Sequence, residues 1–358
     1  MEKNIYRGRK VFITGITGFK GSWLAAWLRR LGADVSGYAL PPPTSPSHFA
    51  LLALDVDFTE GDIRDADKLA QTMERVQPEI VFHLAAQPLV RLSYQDPVNT
   101  FSTNVMGCIN VFEACRKSSS VRAIVNVTSD KCYENREWVW GYRESDPMGG
   151  YDPYSASKGC AELVTASYRN SFFNPAEYGT THNVLLASAR AGNVIGGGDW
   201  AADRLVPDIM KAVGESREVV IRNPASIRPW QHVLEPLSGY LLLGAKLLQG
   251  RPEFAAAWNF GPADDSAVTV EELVVQIRKS WCNTEYRIEG ERNAPHEAGW
   301  LKLDCSKARA LLHWQPVWNL EQTIAATVNW YHNYYENGMV ATLDNLAAYE
   351  KKMNMKFM

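Results

Sequence analysis

The chain has 358 residues, 46% hydrophobic, 11% aromatic and 22% charged, which excludes a mini-protein or a disordered chain and provides core for one large domain or two intermediate ones. Its 37 Lys and Arg against 40 Asp and Glu leave a formal charge of −3, which gives no basic field for nucleic acid or an anionic membrane and points to a small-molecule partner. No apolar run approaches the roughly 18–20 residues of a bilayer span, the N-terminus lacks a signal-peptide pattern, and the six cysteines (Cys108, Cys115, Cys132, Cys160, Cys282, Cys305) show no metal-binding spacing, so a reduced, metal-free protein of the cytoplasm is expected.

Val11 to Thr14 is a short apolar run, followed by glycines and then by Trp23, Leu24, Trp27 and Leu28 at helical spacing: a strand, a tight loop and a helix. The alternation continues with a strand at 34–39, a loop at 41–46 whose four prolines exclude helix interior, and a helix near 66–76. A strand at 80–84, a helix from about Val98 to Cys115, a strand at 123–127, a helix near 155–168 and a strand at 183–189 follow. Continuous apolar strands alternating with helices predict an α/β fold, a Rossmann-type doubly wound parallel sheet covered on both faces. After about Arg190 the texture changes, and the loop 192–203, with four glycines, is longer than an ordinary connection and reads as site-forming. Thr269 with Glu272, and Asn319 with Gln322, read as helix-opening capping boxes, the second before a closing helix bearing Leu320, Ile324 and Trp330. The expected division is a dinucleotide-binding domain over 1–190, with a returning segment near 229–263, and a smaller C-terminal α/β substrate domain over 191–358, mainly 191–228 and 264–358. No internal repeat is found.

The segment Thr14-Gly15-Ile16-Thr17-Gly18-Phe19-Lys20-Gly21 spaces glycines three apart between strand and helix. Bare backbone there turns tightly or approaches a pyrophosphate, whose charge meets the N–H groups and positive end of the helix. The acidic residue that holds an adenosine ribose is absent from Ser36-Gly37-Tyr38-Ala39-Leu40, and so is an arginine for a 2′-phosphate; NAD is the expected cofactor, with Asp62 a candidate for the adenine amine. Tyr154 and Lys158, four apart, share a helix face. For the phenol to take an alcohol proton at neutral pH its pKa must fall by about three units, roughly 4 kcal/mol, and Lys158 and an oxidised nicotinamide are the expected sources. Thr128-Ser129-Asp130-Lys131 follow the strand ending at Val127, at the carboxyl end where open α/β sheets bind ligands.

Thr14 to Gly21, His83-Leu84-Ala85-Ala86-Gln87, Asn104-Val105 and Tyr154 with Lys158 together resemble the extended short-chain dehydrogenase/reductase family over nearly the whole chain. Within it, Thr128-Ser129-Asp130-Lys131-Cys132-Tyr133 and the run from Arg190 to Trp200 are similar to the nucleotide-sugar 4,6-dehydratases, most of all the branch acting on CDP-glucose. The resemblance implies hydride transfer from C4 of the hexose to bound NAD, elimination of water across C5 and C6, and return of the hydride to C6. It implies cofactor contacts at Gly15, Thr17, Gly18, Phe19, Lys20, Gly21, Asp62, Ile63, Leu84, Ala85, Ala86 and Asn104, besides Tyr154 and Lys158. Tyr154 would remove the C4 hydroxyl proton, Lys158 hold the nicotinamide ribose and lower the Tyr154 pKa, and Ser129 orient the C4 oxygen. Asp130, kept protonated by burial, would donate to the departing 6-hydroxyl. Lys131, where dTDP-glucose dehydratases carry glutamate, is either the C5 base or a cation that stabilises the enolate. Asn193 is implied at the sugar diphosphate, Arg204 and Arg228 at its phosphates, and His296 with Glu297 at the nucleotide end; His232 and His313 read as structural. The helices near 98–115 and 155–168 would pair between subunits in a homodimer or homotetramer. Two other readings are a nucleotide-sugar 4-epimerase, against which the Asp130-Lys131 pair argues, and a non-catalytic dinucleotide sensor, against which Ser129, Tyr154 and Lys158 argue.

Overall fold

The central strands are buried and mostly rich in β-branched or aromatic residues, and alternate side chains serve opposite faces. The computed structural model describes residues 5–221, 223–263, 266–281, 285–289 and 300–356. Its main sheet comprises β1 (Lys10–Thr14), β2 (Asp34–Ala39), β3 (Asp57–Glu60), β4 (Ile80–His83), β5 (Ala123–Val127), β6 (Leu185–Ala191) and β7 (Ala257–Phe260). All seven run parallel, in the order β7-β6-β5-β4-β1-β2-β3. The expected doubly wound α/β architecture is therefore present, and the winding reverses between β1 and β4, which opens a crevice at their carboxyl ends. Phe12, Tyr38, Val81, Ile124 and Leu186 pack on one face, and Val11, Ile13, Val35, Phe82, Val125 and Ala187 on the other.

The longer helices are α1 (Phe19–Arg30), α2 (Ala66–Val76), α3 (running from Pro97 to Lys117), α4 (Pro153–Ser171), α5 (Leu205–Gly214), α6 (Leu234–Leu248), α7 (Val270–Ser280), α8 (Leu320–Asn337) and α9 (Thr342–Lys356). α2 and α3 cover the Phe12 face; α1 and α6 cover the Val11 face. The helix expected over 98–115 is longer and interrupted, because a π-helical turn at Ser102–Met106 joins its two α-helical parts. β3, with the sequence Asp-Phe-Thr-Glu, is a charged, half-exposed edge strand and carries no apolar run to announce it. Both capping boxes form: Glu272 N donates to Thr269 Oγ1 at 3.1 Å and Gln322 N to Asn319 Oδ1 at 2.9 Å. Away from the main sheet, Val194–Ile195 pairs with Gln231–His232, Ile227–Pro229 with Ala267–Thr269, and Val219–Ile221 with Tyr286–Ile288.

Gly196, Gly197 and Gly198 of the 192–203 loop answer to packing. A Cβ on Gly196 would lie 2.9 Å from Val233, one on Gly197 would collide with the Trp330 ring, and Gly198 is left-handed (φ +84°) against His48. The Gly197 carbonyl accepts from Trp23 Nε1 at 2.9 Å, and Tyr331 OH accepts from Asp199 N at 2.9 Å. His48 completes the cluster, stacked on Trp23 and hydrogen-bonded to Ser22 Oγ at 2.7 Å and Thr342 Oγ1 at 2.8 Å. Because this packing leaves no room for one added methyl group, Gly197→Ala is expected to destabilise the protein by about 3 kcal/mol, read as a lower denaturation midpoint in urea; an unchanged midpoint would show that the loop is loose.

Candidate active site

The three loop glycines do different things. Gly15 is left-handed (φ +73°) and a Cβ there would lie 2.7 Å from Ala85 N, while one on Gly21 would run into the Gly15 carbonyl. Both are required by the protein's own backbone. At Gly18 a Cβ would meet only Gly15 O, at 3.3 Å, so this glycine is bare on its open side. It is also the N-cap of α1, with no side-chain cap and no acidic residue in the first turn, which leaves the helix N–H groups and positive end for an anion. This cradle fits a dinucleotide pyrophosphate. Thr17 Oγ1 donates to Leu40 O at 2.9 Å and ties the loop to the end of β2. Thr14 Oγ1 accepts from Leu84 N at 3.2 Å and Ala85 N at 3.3 Å and contacts His83 Nδ1 at 2.7 Å, so the loops after β1 and β4 form one floor continuing to Ala86.

Other residues expected at the cofactor have protein partners. Asn104, in the π-turn, accepts from Gln87 N at 2.9 Å and donates to Gln87 O at 3.1 Å and Ser157 Oγ at 2.8 Å, clamping the post-β4 loop to α4. The Ile63 side chain packs against α3, where a Cβ on Gly107 would touch it at 2.5 Å. Asp62 accepts from Arg64 N at 2.9 Å and from Arg64 Nε at 3.0 Å, and those bonds hold its carboxyl below the usual range.

The catalytic candidates converge at the carboxyl end of β5. Asp130–Cys132 is a single 3₁₀ turn capped by Ser129, whose hydroxyl accepts from Lys131 N at 3.2 Å and donates to Asp130 Oδ1 at 2.9 Å. α4 is opened by Asp152, which accepts from Ser155 N at 2.9 Å, with Pro153 in the first turn. Gly159 lets α4 approach the turn, since a Cβ there would lie 2.5 Å from Gly149 O and 3.2 Å from Cys132 O. Tyr154 and Lys158 are therefore both buried, with the Tyr154 phenol against the Ser129 hydroxyl.

Burial acts differently on each group. It raises the Asp130 pKa, opposed first by Lys131 and then by the Ser129 hydrogen bond, Lys20 and Arg228, which favours the protonated acid. It pushes Tyr154 up to about 12, and the influences pulling the phenol back are the Ser129 hydroxyl and Arg204, with Lys158 not among the leading ones. It lowers Lys158 to about 8, against Cys108, Glu162 and Cys132. Lys20, from the first turn of α1, is lowered to about 8 by desolvation, then by Arg204 and Lys158, with Asp130 opposing; it belongs to the catalytic cluster as much as to the glycine loop.

Arg204 is the N-cap of α5 and pairs with Asp199 at 2.9 Å, within the field of Tyr154. Arg228, on Ile227–Pro229, donates to the Ile227 carbonyl at 3.0 Å and acts on Asp130. Asn193 is half-buried on the same loop, its carbonyl accepting from Gln231 N at 3.3 Å. His296, Glu297 and Cys282 lie outside the described residues. Among the described residues no cluster of three or more His, Cys, Asp or Glu could hold a metal ion, and no helix is long and apolar enough to cross a membrane.

Glu162, which no motif flagged, and Arg190, the first residue of the 190–200 motif but given no role there, lie beneath the cluster. Glu162 on α4 and Arg190 on β6 pair at 2.8 Å, both side chains 4% exposed. Thr128 Oγ1 donates to Glu162 at 2.5 Å, Ser188 Oγ donates to it at 2.8 Å, and Arg190 Nη1 donates to Tyr133 OH at 2.6 Å.

A family model described as GDP-mannose 4,6 dehydratase matches residues 12–327. The chain belongs to the GDP-mannose 4,6 dehydratase family. Members of this family are nucleotide-sugar 4,6-dehydratases, so the chain is an enzyme. It is 56% identical over 335 residues to a CDP-glucose 4,6-dehydratase of Salmonella typhimurium, covering 92% of each chain. It is 26% identical to a UDP-glucuronate 4-epimerase of Arabidopsis thaliana, covering 92% of this chain and 78% of that one. Among solved structures it superposes on a UDP-glucose 4-epimerase of Thermotoga maritima with UDP-glucose (TM-score 0.77, 22% identity, 91% and 99% of the chains covered). It also superposes on a Thermus thermophilus UDP-glucose 4-epimerase in complex with NAD (TM-score 0.74, 22% identity, 90% and 98% covered). At that identity the likeness to these two solved structures is one of fold.

Three buried histidines set the acid limit of the fold: His83 under the crevice, and His48 and His232 beneath the 192–203 loop, each pushed down to about 3 by burial. Each stays neutral in the folded state while the unfolded chain takes up its proton near pH 6.5, so their contribution is complete above pH 6.5 and is lost as pH falls towards 3. The slope is at most about 1.4 kcal/mol per pH unit for each ring. Urea midpoints are expected to drop steeply between pH 6.5 and 5, and a flat profile there would show that the rings titrate freely.

Proposed function

We propose that this enzyme is a CDP-glucose 4,6-dehydratase, converting CDP-glucose to CDP-4-keto-6-deoxyglucose and water. The observation that carries the reaction class is the buried Asp130, its carboxyl raised by desolvation and hydrogen-bonded to Ser129 beside Tyr154, an acid for which a 4-epimerase has no use. The choice of CDP-glucose is supported by the 56% identity to the Salmonella enzyme of that name.

In this reading the Gly15–Gly21 cradle and Lys158 would hold NAD, which when bound would supply the reversible hydride chemistry at C4 and C6. Tyr154 takes the C4 hydroxyl proton while Ser129 orients that oxygen. Asp130 protonates the departing 6-hydroxyl, and Lys131 serves the C5 carbon as base or as the cation beside the enolate. Arg204 and Arg228 meet the diphosphate, where planar guanidinium groups bind phosphate oxygens bidentately, and Asn193 adds a polar contact. The parts 191–228 and 264–358 act as a substrate domain over the dinucleotide-binding part. The cytoplasm is the proposed compartment, supported by free cysteines at 108, 115, 132, 160 and 305.

The test is to supply CDP-, dTDP-, GDP- and UDP-glucose in parallel with NAD and to identify products by mass. CDP-glucose is expected to be preferred, with a keto sugar lighter by one water; a C4-inverted sugar of unchanged mass would make the protein an epimerase. Tyr154→Phe is expected to lower kcat by about a thousandfold, within the usual range for removing an acid–base group.

Val98 (78% exposed), Met106 (53%) and Leu163 (60%) leave apolar surface on α3 and α4. We propose that these helices pair across a homodimer, alone or within a homotetramer. Met106→Glu combined with Leu163→Glu is expected to give a monomer by light scattering, and an unchanged mass would place the interface elsewhere.

A further inference from the structure

Gly192 follows β6 directly, and the β5–β6 register pairs Val127 with Ala189, so Asp130 and Gly192, each three residues further on, meet beyond the ends of the two strands. The φ of Gly192 is not left-handed, so the backbone does not call for a glycine. A Cβ added there would lie 2.9 Å from Asp130 Oδ2, 3.5 Å from its Cγ and 4.0 Å from its Cβ, and these are its three nearest neighbours. Gly196, Gly197 and Gly198, by contrast, are held bare by Val233, Trp330 and His48. The bareness of Gly192 therefore answers to one side chain, the carboxyl proposed as the acid of the dehydration.

That carboxyl is placed from two sides. Ser129 Oγ donates to Oδ1 at 2.9 Å, while Oδ2 lies toward Gly192. Asp130 and Gly192 share the wall of a narrow cavity with Pro229, Gly261, Pro262 and Lys302. A protonated carboxyl carries its hydrogen on one oxygen only. With Oδ1 occupied as an acceptor, the proton belongs on Oδ2, the oxygen beside Gly192. An alanine methyl at 2.9 Å would stand about half an ångström inside ordinary contact, and the carboxyl would have to turn, which redirects both oxygens.

We infer that Gly192 is a positioning residue for the elimination, its missing side chain being the seat of the Asp130 oxygen that protonates the departing 6-hydroxyl; this deepens the dehydratase reading proposed above and rests on it. In that step the Oδ2–H bond breaks and its proton joins the 6-oxygen. The C6–O bond breaks with its electron pair on that oxygen, which leaves as water. The C5 proton goes to the base, and the C5–H electron pair becomes the second bond between C5 and C6. No electrons enter or leave. The oxidation at C4, which Ser129 and Tyr154 serve, does not draw on Oδ2.

The test is Gly192→Ala, compared with the parent on CDP-glucose and on CDP-6-deoxy-6-fluoroglucose, whose fluoride departs as an anion and needs no proton to leave. A 1 Å misplacement at a reacting centre costs about a hundredfold, so a shift of half that size is expected to lower kcat on CDP-glucose about tenfold, with KM unchanged. On the fluoro sugar, where the general acid has little to contribute, the loss is expected to stay within about twofold. Quenched time courses of the variant are expected to show a 4-keto sugar lighter than the substrate by two hydrogens and still carrying its 6-hydroxyl, which the parent does not accumulate. The thermal midpoint is expected to match the parent's, because the added methyl meets one side chain. An unchanged kcat on CDP-glucose, an equal loss on both sugars, or a clear fall in the thermal midpoint would overturn the positioning role while leaving the dehydratase reading intact. A parent protein that forms no keto sugar from any nucleotide glucose would overturn that reading, and the positioning role with it.

Discussion

Between Glu162 on α4 and Arg190 on β6, a full charge pair is held in the interior, and the catalytic crevice is assembled around it. Desolvating two such ions costs several kcal/mol each, and their mutual attraction repays this only where the remaining hydrogen-bonding capacity is also met. Here most of it is: Thr128 and Ser188 donate to the carboxylate, while Tyr133 OH and the Glu144 carbonyl accept from the guanidinium, whose buried Nε alone has no hydrogen-bond partner among the described residues. Those partners matter by their location. Thr128 immediately precedes Ser129 and Asp130, Ser188 and Arg190 lie on β6, and Glu162 is two turns along α4 from Tyr154. The pair therefore fixes the helix carrying the phenol against the strand end carrying the acid, and its main contribution is position more than net stability.

Burial of that cluster has opposite consequences for its two proton-transfer groups. It raises the pKa of Asp130, which suits the proposed general acid, and it also raises that of Tyr154, which works against the proposed general base. The structure answers with cations: Lys20, Lys131, Arg204 and Arg228 all act on Asp130 or Tyr154. Such an excess of positive charge around one carboxyl is uncomfortable without a ligand and suited to an anionic diphosphate.

Features set by local spacing were legible in the sequence. The glycine loop, the Tyr154–Lys158 pair and both capping boxes depend on residues within a turn or two of one another, and the apolar runs of β1, β2, β4, β5 and β6 declared themselves. What depended on distant partners was not. The glycines at 196–198 read as a ligand loop, yet their bareness is imposed by Val233, Trp330 and His48, far away in the chain. β3 carries no apolar signal, and the π-turn that aims Asn104 inward breaks no periodicity. The Glu162–Arg190 pair did leave traces: Tyr154, Lys158 and Glu162 recur every four residues on one helix face, and a lone arginine in the buried strand Leu-Leu-Ala-Ser-Ala-Arg-Ala needs a counter-charge.

The hydrogen bond from Trp23 to the Gly197 carbonyl joins α1, whose first turn forms the proposed phosphate cradle, to the loop that carries Asn193 and Asp199. Anyone wishing to alter sugar-nucleotide preference by transplanting the 192–203 segment from a cousin enzyme would be exchanging one side of a keyed joint. Trp23, His48 and Trp330 would have to travel with the graft, or the dinucleotide end would be disturbed along with the sugar end.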